Sequence, residues 1–188
     1  MQADYRTYLE LKELLPDANP EARARFRALF AHYYNLNTGG LTPEFKDRFF
    51  EILFAGNVIV NGRPNYAPIL TELSQIKRRK GDYAMPFSFV SKLVAIHQES
   101  SPIYDRHVVG FFGETVPAAS VDKAKRIEWF VGFLDRVGTD YQVWAADDRM
   151  QPILGRLRAR DPRLDRCHVV RLVDFLVWRV GNQKLLVA

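Results

Sequence analysis

The chain has 188 residues, 47% of them apolar and 13% aromatic, the composition of an ordinary globular protein rather than a disordered one. A single cysteine, Cys167, excludes an intrachain disulfide and fits a reducing compartment. The net charge is +5. No basic-then-apolar leader opens the sequence, and the most apolar run, residues 169–180, is interrupted by Arg171, Asp174 and Arg179. That run is too short and too charged to span a bilayer, so the expected location is cytoplasmic. The positive charge is segregated. Lys77, Arg78, Arg79 and Lys80 stand together without an acid, and residues 149–171 hold seven arginines against Asp161 and Asp165. Such a distribution suits a polyanion; basic residues at helix ends also serve the helix dipole.

In chain order, residues 3–15 read as a short amphipathic helix ended by Pro16. Asn19-Pro20-Glu21 is a cap and first-turn signal for a helix to about Leu36, with Phe26, Leu29, Phe30 and Tyr33 on one face. Asn37-Thr38-Gly39-Gly40 reads as a turn. Thr42-Pro43-Glu44 opens a third helix, with Phe45, Phe49, Ile52 and Leu53 as its core side and a stop near Gly56. Residues 57–66 contain an Asn61-Gly62 turn signal but no convincing partner strand, so a loop is expected. Ile69, Leu70, Leu73 and Ile76 recur at helical spacing ahead of the basic run. After Pro117, a Ser120 cap starts a helix expected to stop at Gly138, and Thr139 or Asp140 caps another. Residues 152–160 continue as helix after a kink at Pro152. Asp161-Pro162 then breaks it, and a last, nearly apolar helix spans about 165–180, ended by Gly181. The expected class is all-α, eight or nine helices in a single domain over 1–188. Residues 1–60 are a candidate N-terminal lobe packed on 66–188.

Residues 85–113 are the centre of this pattern. Phe89, Val90, Leu93, Val94 and Ile96 predict one helix; Ser100-Ser101-Pro102 predicts the start of a second, and Gly113 its stop. Lys92 precedes Asp105 by thirteen residues. On its helix Lys92 shares a face with Ser88, Ala95 and Glu99, which reads either as a wet surface or as room for a substrate beside an amine. In the second case the helix dipole and desolvation lower the lysine's pKa, as an amine nucleophile needs. Asp105, in the first turn of the next helix, is either a carboxylate that meets free N–H groups or one that stabilises a developing cation. Tyr104 is a core aromatic or a ligand-stacking one. Ser88 and Tyr104 complete a candidate pocket.

The histidines give no metal pattern: His97 and His107 stand on different predicted helices, and Cys167-His168 are adjacent. No glycine-rich phosphate loop, Ser-His-Asp signature or paired-carboxylate pattern stands out, so neither metal nor cofactor is expected. Asp174 lies in an apolar run and needs a partner, for which Arg171 one turn back is suited.

A helix carrying a lysine, then P-I-Y-D-R-H-V opening the next, resembles the centre of the helix-hairpin-helix DNA glycosylases. Met85-Pro86 and Lys92 match the first element; Pro102, Asp105, His107 and Val108 match the second. The stretch Asp174-Phe175-Leu176-Val177-Trp178-Arg179-Val180-Gly181 is similar to endings of compact prokaryotic proteins with an 8-oxoguanine-glycosylase fold. The resemblance covers about residues 70–181 and implies a helical DNA-repair protein that flips out a damaged base. Lys92 would be the nucleophile and Asp105 its electrostatic or acid–base partner. Lys77, Arg78, Arg79 and Lys80, with Arg156, Arg158, Arg160, Arg163 and Arg166, would hold phosphates of the expected partner, a nucleic acid and foremost DNA. Two other readings stand beside it: a non-catalytic relative that binds nucleic acid or a nucleotide in defence or regulation, and a helical protein-interaction module.

Overall fold

Asn19 and Thr42 act as the caps their sequences announce. In the computed structural model, which describes residues 5–37 and 40–184, Asn19 Oδ1 accepts the Glu21 N–H at 2.9 Å. Thr42 Oγ1 accepts the Phe45 N–H at 3.2 Å. Proline follows each cap where no N–H is needed. The protein is all-α: nine α-helices, one short 3-10 helix and one two-stranded ribbon among the described residues. The chain divides into two compact units, Met1–Ile96 and His97–Ala188.

The first unit contains α1 (Tyr5–Leu14), α2 (Pro20–Tyr33), α3 (Pro43–Phe54), α4 (Tyr66–Leu73) and α5 (Phe87–His97), the last reaching its boundary. Its core is aromatic. Phe26, Phe30 and Phe49 are fully buried, and Phe30 packs on Phe26, Tyr34, Phe49 and Phe50 with ring centroids 4.6 to 5.9 Å apart. Each fully buried ring stabilises the fold by about 1.5–3 kcal/mol through area alone. Helix α2 ends at Tyr33, short of Leu36, because Asn35 turns left-handed (φ 60°) and Leu36 N–H reaches back to Ala31 O. Of the expected turn that follows, Thr38 and Gly39 lie outside the described residues, as do residues 3 and 4 of the expected first helix.

The loop expected over 57–66 is corrected to a tight ribbon. β1 (Ile59–Val60) pairs antiparallel with β2 (Arg63–Pro64) across Asn61-Gly62. Both turn residues have positive φ, 50° and 75°, the left-handed pair that a two-residue hairpin turn demands. The partner strand lies immediately after the turn and is only two residues long, too short for alternation to reveal.

The second unit holds α6 (Arg106–Phe111), α7 (Lys123–Ala146), α8 (Gln151–Arg160), the 3-10 helix Pro162–Arg166 and α9 (Val169–Lys184). Four expectations change here. Helix α6 starts after Asp105, not at Pro102, and residues 101–105 carry no helix. The two helices expected on either side of Gly138 are one 24-residue helix capped by Asp122, whose Oδ1 accepts the Ala124 and Lys125 N–H groups. Thr139 caps nothing, since its hydroxyl bonds back to Asp135 O at 3.0 Å inside that helix. Gly181 does not end the last helix, which runs through it to Lys184. Asp161 caps the 3-10 helix instead of merely breaking α8, and this delays the start of α9 to Val169. No helix among the described residues is long and apolar enough to cross a membrane.

Candidate functional sites

In the first unit, Lys92 is 5% exposed, so the reading of a wet surface lysine is corrected. Its Nζ donates to Ser88 Oγ at 2.8 Å, one turn back on α5. It also lies 5.6 Å from the Tyr34 ring centroid and 5.7 Å from that of Phe89. Ala95, on the same helical face, is fully buried. An ammonium among rings gains cation–π attraction in place of part of its hydration. The site is therefore a lysine beside one hydroxyl and two aromatic faces. Of the predicted pocket pair, Ser88 stands at Lys92, whereas Tyr104 belongs to the second unit.

In the second unit, Asp105 is the N-cap of α6, with Oδ1 accepting the His107 N–H at 3.0 Å. The same oxygen is 4.0 Å from His107 Nε2. Burial pushes the His107 imidazole below its ordinary value; the Asp105 charge pulls it up and the Arg106 charge pushes it down. Tyr104 sits among Trp129, Phe130 and Phe133 at 5.4 to 6.2 Å between centroids. Burial raises its phenol pKa, and the Asp105 charge adds to the rise.

One face of α9 holds the segment that leads into α6. Arg171, fully buried, donates to Asp174 Oδ2 at 2.5 Å and to Ser101 O at 2.6 Å. Asp174 Oδ1 accepts the Ile103 N–H at 3.3 Å. Trp178 meets the His107 ring edge-on at 5.5 Å, and Gly181 lies against the His107 carbonyl. Positions 171, 174, 178 and 181 are spaced by three and four, so one helical stripe grips residues 101–107. Burial pushes the Asp174 carboxyl upward, against the pull of the Arg171 guanidinium. The predicted pairing of Asp174 with Arg171 is thus present. The contacts of Trp178 and Gly181 were not foreseen, although their spacing from Asp174 marks the same stripe.

The basic residues differ in what engages them. Arg78 is paired with Asp82, which raises the arginine's pKa and lowers the aspartate's. Arg79 donates through Nε to Leu41 O at 3.1 Å, while Lys77 and Lys80 are exposed. Arg163 grips Asp161 at 2.7 and 3.0 Å, and Arg158 stands 3.6 Å from Asp165. Arg156, Arg160 and Arg166 are exposed and make no ion pair among the described residues. The two clusters fall in different units, as do Lys92 and Asp105.

The second unit also contains an apolar cavity of about 520 Å³, lined chiefly by Phe111, Trp144, Met150, Ile153, Leu176 and Val180. Asp147 is part of its lining, and the Arg149 guanidinium holds that carboxyl down at about 2. No protein family, curated protein or solved structure matches this chain.

Proposed function

We propose that this chain binds nucleic acid and removes a damaged base from it by amine chemistry at Lys92, as its resemblance to the helix-hairpin-helix glycosylases implies. The observation that carries the reading is the burial of Lys92 on α5 against Ser88, Tyr34 and Phe89. Removal from water is one of the ways in which amine nucleophiles are activated, and the Ser88 hydroxyl and the two ring faces are among what replaces that water around Lys92. The neutral Nζ attacks the sugar C1′ as the glycosidic bond breaks, and the base leaves with a proton. The C1′–O4′ bond then opens, O4′ takes a proton, and a C1′=Nζ imine remains. The resemblance alone assigns Asp105 the stabilisation of the oxocarbenium-like charge; within its own unit its carboxylate accepts the His107 N–H as the N-cap of α6.

Borohydride reduces such an imine to a stable amine. The test is trapping on duplexes carrying an abasic site, 8-oxoguanine or uracil, with Lys92→Ala and Lys92→Met alongside. An adduct that disappears in both variants supports the assignment. One that persists moves the chemistry to another amine. Absence of any adduct removes the lyase step and leaves the second reading, a nucleic-acid binder without catalysis. The exposed Arg156, Arg160 and Arg166 favour that second reading independently of Lys92.

A further inference from the structure

The loop that carries the first basic cluster also carries Tyr83, and 60% of that tyrosine's surface is exposed. Fixed bonds hold the loop. Arg78 N–H donates to Asp82 O, and Gly81 N–H to Arg78 O, both at 2.8 Å, with Gly81 at φ 81°. Arg79 N–H donates to Gly40 O at 2.9 Å, and its Nε to Leu41 O. The turn just before Tyr83 is therefore tied to itself and to the strand of chain ahead of α3. The charge around the ring is cationic. Lys77 Nζ lies 5.7 Å from the Tyr83 centroid, and Lys80 is exposed beyond the turn. Asp82, the only acid in the loop, is already engaged by Arg78.

We propose that Tyr83 is a stacking platform for an unpaired base, with Lys77 and Lys80 contacting the flanking phosphates of a single strand. An exposed aromatic ring among cations is the arrangement by which proteins hold single-stranded nucleic acid: the ring takes a base face and the cations follow the backbone. In an intact duplex those base faces are covered by their neighbours, so the contact selects single-stranded or locally opened sites. A peptide partner would need to supply both an apolar face and repeated negative charge; a nucleic acid strand supplies the two together. This inference rests on the nucleic-acid reading above, but not on chemistry at Lys92.

The test is fluorescence anisotropy with labelled oligo-dT of twenty nucleotides and with a blunt duplex of the same length, across a series of salt concentrations. Tyr83→Ala should weaken oligo-dT binding by about tenfold at every salt concentration and duplex binding by less than about twofold. Tyr83→Trp should keep or strengthen it. The salt slope should be unchanged in Tyr83→Ala and shallower by about 0.7 in Lys80→Ala, because only the lysine meets a phosphate. Equal losses on both probes, or no loss, overturn the stacking role while leaving nucleic-acid binding intact. Failure of the parent protein to bind either probe at low salt overturns both readings. Melting curves for each variant separate these results from misfolding.

Discussion

The carbonyl oxygen of His107 occupies the place where a side chain at Gly181 would begin: a Cβ built there collides with that oxygen. A backbone atom cannot swing aside, so α6 and α9 approach this closely only because position 181 has no side chain. Gly181→Ala is expected to destabilise the protein by about 1–3 kcal/mol, the usual cost of overpacking. Gly138 makes the contrast. It too lies within a helix, but its Cβ would meet Pro102 Cδ and Cγ at 3.6 and 3.8 Å, ordinary contacts. Gly138→Ala should therefore gain about 0.5–1 kcal/mol from helix propensity. Urea unfolding of the two variants checks both signs, and a loss at Gly138 or neutrality at Gly181 refutes the account.

Arg171 and Asp174 test how the 101–107 segment is held. Both are buried, at 0% and 3% exposure, and each bonds the other and one backbone group of the segment. Removing one partner leaves an uncompensated buried charge. Asp174→Ala is expected to cost about 3–5 kcal/mol, far beyond a surface ion pair. Arg48→Ala is the control, since its pairs with Glu51 and Glu72 lie between half-exposed side chains; it should leave stability nearly unchanged. Hydrogen exchange at the Ile103 amide should accelerate in Asp174→Ala and not in Arg48→Ala.

What could be read from the sequence was whatever a few adjacent residues decide. Asn19 and Thr42 start helices through bonds to N–H groups two or three residues on, and the apolar faces of α2, α3 and α5 follow from spacing. Ser101-Pro102 failed as a start signal because long-range bonds claim its neighbours: Ser101 O belongs to Arg171 and Ile103 N–H to Asp174. Glycine misled twice: Gly138 and Gly181 both stand inside helices, and only at Gly181 does a close neighbour require it. At the candidate site, Lys92 and Ser88 share a helical face visible in the sequence. The burial of Lys92 also involves Tyr34, which stands on the connection after α2 and has no local signature. The ring of Tyr83 could have been found from its place beside four basic residues.

His107 gives the pH dependence. Burial is the leading cause of its lowered pKa, so the unfolded chain takes up a proton at a higher pH than the folded one. Stability from the neutral ring is complete above the unfolded value of about 6.5 and declines as pH falls through it toward the lower folded value. Melting temperature should drop between pH 7.5 and 5.5 more in the parent than in His107→Asn. Equal drops would assign the effect to other groups.

Asp105 carries a structural and a chemical role that two substitutions can separate. As N-cap of α6 it needs only an oxygen that accepts the His107 N–H. Asn supplies one and Ala does not, so Asp105→Ala should cost about 1 kcal/mol and Asp105→Asn only a few tenths. The charge is a different matter, because an amide cannot stabilise an oxocarbenium-like centre as a carboxylate does. If base release occurs, Asp105→Asn should lose it with little change in melting temperature. If Asp105→Asn keeps full release, the carboxylate is a cap and nothing more.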